Sequence, residues 1–548
     1  MRSKNMKITI CKTQLVLALT MAVALLVALS ANAATPGITG PTFNLTAQQA
    51  YLTQPDGQAI YSWGYGCSSA PSGWAPSAMA HPTACPTMQV PGPTLIVTEG
   101  QTVTVNLTNG LPAAAGNTSI LFPGFNVTTT GGVAGLLTQE AAPSGTVQYQ
   151  FTASSPGTRA YYSGTQGDLQ VEMGMYGAIV VLPATVPAAC TAGLPLTNPG
   201  NNAAAQTAWG EHDFRLAASA YDNASTCYDR EYLFQFSEMD PNIHRQAEAQ
   251  VAAANCSTGS NRCSLNVPTE PYHPAYFMIN GRSMPDDMEP NYASQYPHQP
   301  YNGDPHMHPG ELVLLRIIGQ GRWQHPFHEH GNHVRILGRD GNLILASTSA
   351  TETNLAGPLL FTTTTTPGVA MDGIFYWTAK GLNWDAYGHN SADPAGTNAT
   401  LPCTPDANGY NTGTPGAINY FEWCQDHEKP LQVAPFGDVG AGGPATLPDP
   451  NIFTNGAWYG GSPYLGPDAT TRATGCSSDP RSNPASCGTT GTTPPSGTIA
   501  NSPSSEAGFA FMWHSHNERE ITTNNAFPGG MLMMMLVDSR EFVIDETN

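Results

Sequence analysis

The stretch PGPTLIVTEGQTVTVNLTN, residues 91–109, constrains the fold more than any other part of the chain. Its apolar and polar residues alternate on either side of the turn signal Glu99-Gly100. Each half therefore reads as a strand with one face for a core and one for water. VQYQFTASSPGTRAYYSG (147–164) and MYGAIVVLP (175–183) repeat the pattern. Short strands at this spacing build β-sandwiches. The rest of the chain has the same texture. With 56 glycines and 47 prolines in 548 residues, and only 11% charged residues, it favours an all-β fold with long loops. The one short helix expected lies at Gln246–Asn255.

Length gives a prior of about three or four domains. Residues 1–33 read as a secretory leader. Arg2, Lys4, Lys7 and Lys12 precede the apolar run 15–29, and Ala31-Asn32-Ala33 offers a small-x-small cleavage site. The chain is therefore expected to be exported, to the periplasm, the cell surface or the medium. No later apolar run reaches the roughly 20 residues of a membrane span. The remainder divides by texture into 36–185, 186–300 and 301–548, with a loose insertion at about 345–508. These segments look like variations on one sandwich.

The formal net charge is −20, and the leader holds four of the basic residues, so the remainder is more acidic still. That balance argues against nucleic acid and anionic membranes as partners. Of 11 cysteines, Cys11 lies in the leader, and the others are even in number with no CxxC pair. In an exported chain they are expected as disulfides: Cys67–Cys85, Cys190–Cys227, Cys256–Cys263, Cys403–Cys424 and Cys476–Cys487.

The 15 histidines are clustered. HPFHEHGNH places His325, His328, His330 and His333 together, and FMWHSH ends in His514 and His516. In a strand, residues i and i+2 share a face, so each His-x-His aims two imidazoles one way. If the two strands meet, four imidazoles form a patch suited to a late first-row metal such as copper or zinc. The alternative is a hydrogen-bonded polar seam without metal. DPHMHPGE holds a third pair, His306 and His308, which offers an exposed cation site or a part of the same pocket but reads more simply as a loop.

These motifs resemble the multicopper oxidases, the cupredoxin-fold group that includes laccases. PGPTLIVTEGQTVTVNLTN resembles the opening of their first domain, HPFHEHG their HPxHxHG motif and FMWHSH their HCH motif. The resemblance implies three consecutive cupredoxin-like Greek-key sandwiches over 36–185, 186–300 and 301–548. It also implies copper, with His328, His330, His514 and His516 at trinuclear-cluster positions and His325 at a blue-copper position.

Other positions depart from that pattern. The first-domain HWHG falls on Leu121-Phe122-Pro123-Gly124 and YHSH on Tyr161-Tyr162-Ser163-Gly164, so half of the cluster ligands are missing. The blue-copper thiolate falls on Ser515 and the second blue-copper histidine on Glu520. A serine hydroxyl is a hard, weak donor and cannot replace a copper thiolate. One or two copper ions are expected in place of the family's four, in a remodelled centre between the first and third domains. Asp168 and Glu172 are candidates to complete the shell, and a small reductant or a metal ion is the expected substrate class. A non-catalytic copper-binding or structural role on the same fold is the alternative.

Overall fold

The structure, a computed structural model, describes residues 35–77, 85–191, 212–256, 263–308, 310–349, 352–377 and 508–538, with shorter pieces at 403–407, 409–413, 424, 462–464 and 544. The expected leader and the Cys476–Cys487 pair lie outside the described residues. The other four expected disulfides are all formed.

The alternation read from residues 91–109 is realised directly. In the strand Thr102–Asn109, Val103, Val105 and Leu107 are fully buried while Thr104 and Asn106 between them are half-buried on the other face. This strand lies in a five-stranded sheet, in the order Ala59–Cys67, Thr42–Thr53, Thr102–Asn109, Thr146–Thr152 and Thr128–Gly131. A second sheet runs Gly157–Tyr162, Tyr176–Leu182, Leu95–Thr98, Gly37–Thr39 and Trp74–Ala75. The two faces meet over Leu45, Trp63, Leu95, Val105, Tyr161 and Ile179. This is the first sandwich.

The second sandwich also pairs two sheets. One contains, in order, Tyr276–Ile279, Arg230–Met239, Leu312–Gly319, Ala370–Tyr376, Val334–Arg339 and Asn342–Leu343. The other contains His306–Met307, Leu532–Asp538, Gly508–Ser515, His325–Glu329 and Thr362–Thr365. Phe234, Leu315, Phe327, Phe375, Trp513 and Met533 fill the space between them. The methionines of the last strand serve packing: Met531, Met533 and Met535 are buried in this core.

The architecture is all-β and cupredoxin-like, as expected, but 186–300 does not build a sandwich of its own among the described residues. Its strands Arg230–Met239 and Tyr276–Ile279 join a sheet of the second sandwich, the former running parallel to Leu312–Gly319. Its helix, Pro241–Ala253, packs Ile243 and Ala247 into the core of the first. The helix starts earlier than expected because the Asp240 side chain accepts from the Asn242 amide at 2.8 Å and Pro241 takes the first turn.

Small residues let the two sandwiches approach closely. Ala160 and Ala178 of the first pack against Leu233, Ile318 and Ala370 of the second. Asp372 locks the contact. Its carboxylate accepts from the Thr158 amide at 3.0 Å and the Tyr221 hydroxyl at 2.7 Å, beside Arg316 at 3.5 Å. Among the described residues no helix is long and apolar enough to cross a membrane.

Candidate metal centre

His325–Glu329 and Gly508–Ser515 are adjacent antiparallel strands, with Phe327 opposite Ser515 and His328 opposite His514. Pairing in this register puts His328 and His514 on one face as direct cross-strand neighbours. The two-residue period adds His330 and His516 to that face, just past the strand ends. The same period sends His325, Phe327, Trp513 and Ser515 to the other face, toward the core, where Phe327 and Trp513 are packed.

On the outer face the imidazoles converge. The centroids of His328 and His330 lie 4.8 Å apart, those of His328 and His514 5.5 Å, and those of His330 and His514 5.3 Å. One ring nitrogen from each of these three lies within 4.8 Å of the others. His516 approaches His328 at 5.0 Å, but its side chain is 52% exposed and its Nδ1 lies 3.5 Å from Glu518. Three imidazoles therefore form the compact group, with the fourth at its edge.

Hydrogen bonds orient the rings. His514 Nδ1 donates to the Ser515 carbonyl at 2.8 Å, which leaves the lone pair on Nε2. His328 Nδ1 bonds Thr362 Oγ1 at 2.7 Å. His514 Nε2 and His330 Nε2 are 3.3 Å apart. Two nitrogens bound tetrahedrally at about 2.0–2.1 Å from one ion would be separated by about that distance. Burial, reinforced by the three neighbouring imidazoles, lowers the His328 pKa to about 4. Burial also lowers that of His514. Neutral imidazole is the form that ligates metal, so the set fits a late first-row cation.

His325 is set apart from the other four. Its Nδ1 lies 2.8 Å from Glu520 Oε2 and its Nε2 3.0 Å from Glu238 Oε2, with all three groups buried. Burial opposes the imidazolium, but the hydrogen bonds to Glu238 and Glu520 outweigh it and raise the pKa to about 9. At neutral pH both nitrogens carry protons, so His325 has no lone pair for a metal. Ser515 donates to the same Glu520 oxygen, and Asn517 Nδ2 donates to Glu520 Oε1 at 2.8 Å. The three positions where the resemblance puts blue-copper ligands do meet in space, but they are bonded to one another.

The other candidates are placed elsewhere. Glu172 accepts from the Asp240 amide at 2.6 Å and the Tyr272 hydroxyl at 2.7 Å, and Asp168 from Thr269 at 2.9 Å. Tyr161 is core packing whose hydroxyl donates to the Pro93 carbonyl. His306 is buried 3.4 Å from Asp304. The first sandwich packs on the sheet containing Leu312–Gly319, which is the layer opposite the histidine strands. The described contacts of the cluster thus come from the second sandwich.

Sequence reasoning missed Glu238 and Thr362. Glu238 sits inside the apolar run YLFQFSEM, and a carboxylate there must find a partner on burial, which was the available signal. Thr362 carries no local signal, because only the pairing of its strand with His325–Glu329 brings it to His328.

A multicopper oxidase family model matches residues 74–185, and another multicopper oxidase model matches residues 268–375. The second match begins in the middle segment and continues through His325, His328 and His330. No curated protein matches the chain significantly. Among solved structures it is similar to Multicopper Oxidase mgLAC, at 13% identity over 90% of this chain and 86% of that one, with a TM-score of 0.41. It is similar to the Blue Copper Oxidase from Nitrosomonas europaea at 14% identity over 90% and 85%, with a TM-score of 0.42. It is also similar to the Cu-containing nitrite reductase from Thermus scotoductus SA-01, at 16% identity over 61% and 54%, with a TM-score of 0.35.

Proposed function

Because the chain is a divergent multicopper-oxidase-like protein, we propose that it is an exported copper protein that holds one ion on His328, His330 and His514, with His516 closing the site. The observation that carries this reading is the convergence of three ring nitrogens within 4.8 Å, two of them 3.3 Å apart. Burial keeps His328 and His514 in the form that binds metal. Four disulfides suit an oxidising compartment.

Copper bound there would supply one-electron redox chemistry. The chain's own residues set how a reductant reaches it. The thiolate entrance of the family is replaced by Ser515, Glu520 and His325, which are held to each other and to Glu238. A small reductant or a reduced metal ion must therefore approach from the exposed side, past His516. Thr362 and the Ser515 carbonyl keep the His328 and His514 rings turned toward the site.

The test is copper stoichiometry and electron paramagnetic resonance on metal-depleted, reloaded protein, beside the His330→Ala variant. One Cu(II) per chain with nitrogen hyperfine splitting, lost in the variant, is the expected result. No specific copper would remove the proposal. Copper bound without turnover of phenols, cuprous, ferrous or manganous ions would assign a binding role in place of an oxidase.

A further inference from the structure

A cavity of about 810 Å³ opens on the seam between the two sandwiches, and no histidine lines it. One wall is the first sandwich, with Leu121, Glu140 and the turn Tyr162–Asp168. The other is the second sandwich, at Gln320–Arg322 and Pro367–Gly368. The volume is that of a site for a small organic molecule.

Three features define what such a molecule would be. The first is apolar surface left in water. Leu136 and Leu137 stand at the rim, on the turn between the short strands Val133–Ala134 and Gln139–Glu140, and are 92% and 64% exposed. Together with Leu121, Tyr162 and Val171 they offer an apolar lining that an occupant would cover.

The second is uncompensated negative charge. Glu140 is 8% exposed and accepts only from neutral donors, Thr165 Oγ1 at 2.8 Å and Asn117 Nδ2 at 3.0 Å. Asp168 at the mouth accepts from Thr269 Oγ1 at 2.9 Å. Among the described residues neither has a cationic partner. Arg322, the cation on the wall, is already paired with Glu270 at 2.8 Å, bonded to the Thr269 carbonyl at 2.8 Å and stacked on Tyr272.

The third is that the scaffold persists where ligands are missing. Leu121, Tyr162 and Gly164 occupy positions at which the family resemblance places histidines. The Leu121 amide still donates to the Tyr162 carbonyl at 2.7 Å, so the paired backbone remains while the side chains it displays are apolar or absent.

We propose that this cavity binds a small organic cation: an amine with an aromatic or alkyl body, its ammonium on Glu140 and its body under Leu136 and Leu137. The proposal is independent of the copper reading, because no metal ligand lines the cavity. The test is calorimetric titration of the full, metal-depleted chain with 2-phenylethylamine, 2-phenylethanol and 3-phenylpropionate. A charge-assisted hydrogen bond should make the amine bind about tenfold tighter than the alcohol, with the carboxylate weakest. Glu140→Gln should remove the preference for the amine. Gly167→Trp should block all three, since a side chain there enters space with no atom within 4 Å of its Cβ. Equal affinity for amine and alcohol, an amine preference that survives Glu140→Gln, binding that ignores Gly167→Trp, or no saturable binding of the amine would each overturn it. Thermal melts of both variants check that the chain remains folded.

Discussion

His328 and His514 face each other as direct neighbours across two antiparallel strands, with ring centroids 5.5 Å apart. Neither ring is free to turn away, because Thr362 holds the first and the Ser515 carbonyl holds the second. The orientation of these rings should therefore be worth affinity in its own right. Thr362→Val is expected to weaken copper binding by about 10–100-fold while leaving all four histidines in place. Competition titration against a chelator of known affinity measures this.

Copper binding should fail on acidification, and His328 should be protonated only well below neutral pH. His328 has its pKa near 4, so protons compete with metal only as pH falls toward that value. The share of affinity that His328 contributes, read as the difference between the pH profiles of the native chain and His328→Ala, should persist until pH falls toward 4. A loss of that difference centred near the ordinary histidine value of about 6.5 would contradict the burial that sets this expectation.

The imidazolium of His325 should make the protein lose stability in alkali. Its folded pKa, about 9, lies above the unfolded value of 6.5. Its contribution is therefore fully present below about pH 6.5 and is lost as pH rises through 9. The loss is on the order of 3 kcal/mol at most. Chemical denaturation between pH 6 and 10 should show this fall in the native chain and a shallower one in His325→Gln.

Ser515→Cys should not create a blue copper site. The new thiol would stand beside a histidine whose two nitrogens are held by Glu238 and Glu520, so no second ligand is available. Copper-loaded Ser515→Cys is expected to lack the intense thiolate charge-transfer colour. An intensely blue variant would mean that the two carboxylates yield His325 readily.

Asp372→Ala should be severely destabilising. It strips one partner from the Thr158 amide, the Tyr221 hydroxyl and Arg316 in a buried contact. Breaking a buried charged arrangement by removing one member costs about 3–5 kcal/mol. Urea unfolding would measure it.

Much of this was legible in the sequence, where periodicity alone sufficed. The alternation in residues 102–109 gave the buried valines, and the His-x-His spacing gave the shared face of His328 with His330. The position of His325 was readable too. It lies three residues before His328, and an odd interval along a strand reverses the face. The position of 186–300 was not legible. A run such as YLFQFSEM announces a strand, but its neighbour in the sheet, Leu312–Gly319, is set by packing between distant parts of the chain. Nor does sequence say which buried charge meets which, as Glu238 and His325 show.

That strand, Arg230–Met239, carries a consequence for any attempt to dissect the chain. Cleavage near residue 300 would separate it from Leu312–Gly319, to which it is hydrogen-bonded along its length. The amino-terminal fragment would keep a long, normally buried ribbon with no neighbour on that side, and the carboxy-terminal fragment would expose the matching edge. Such fragments should stick to each other or to themselves before either behaves as an independent piece.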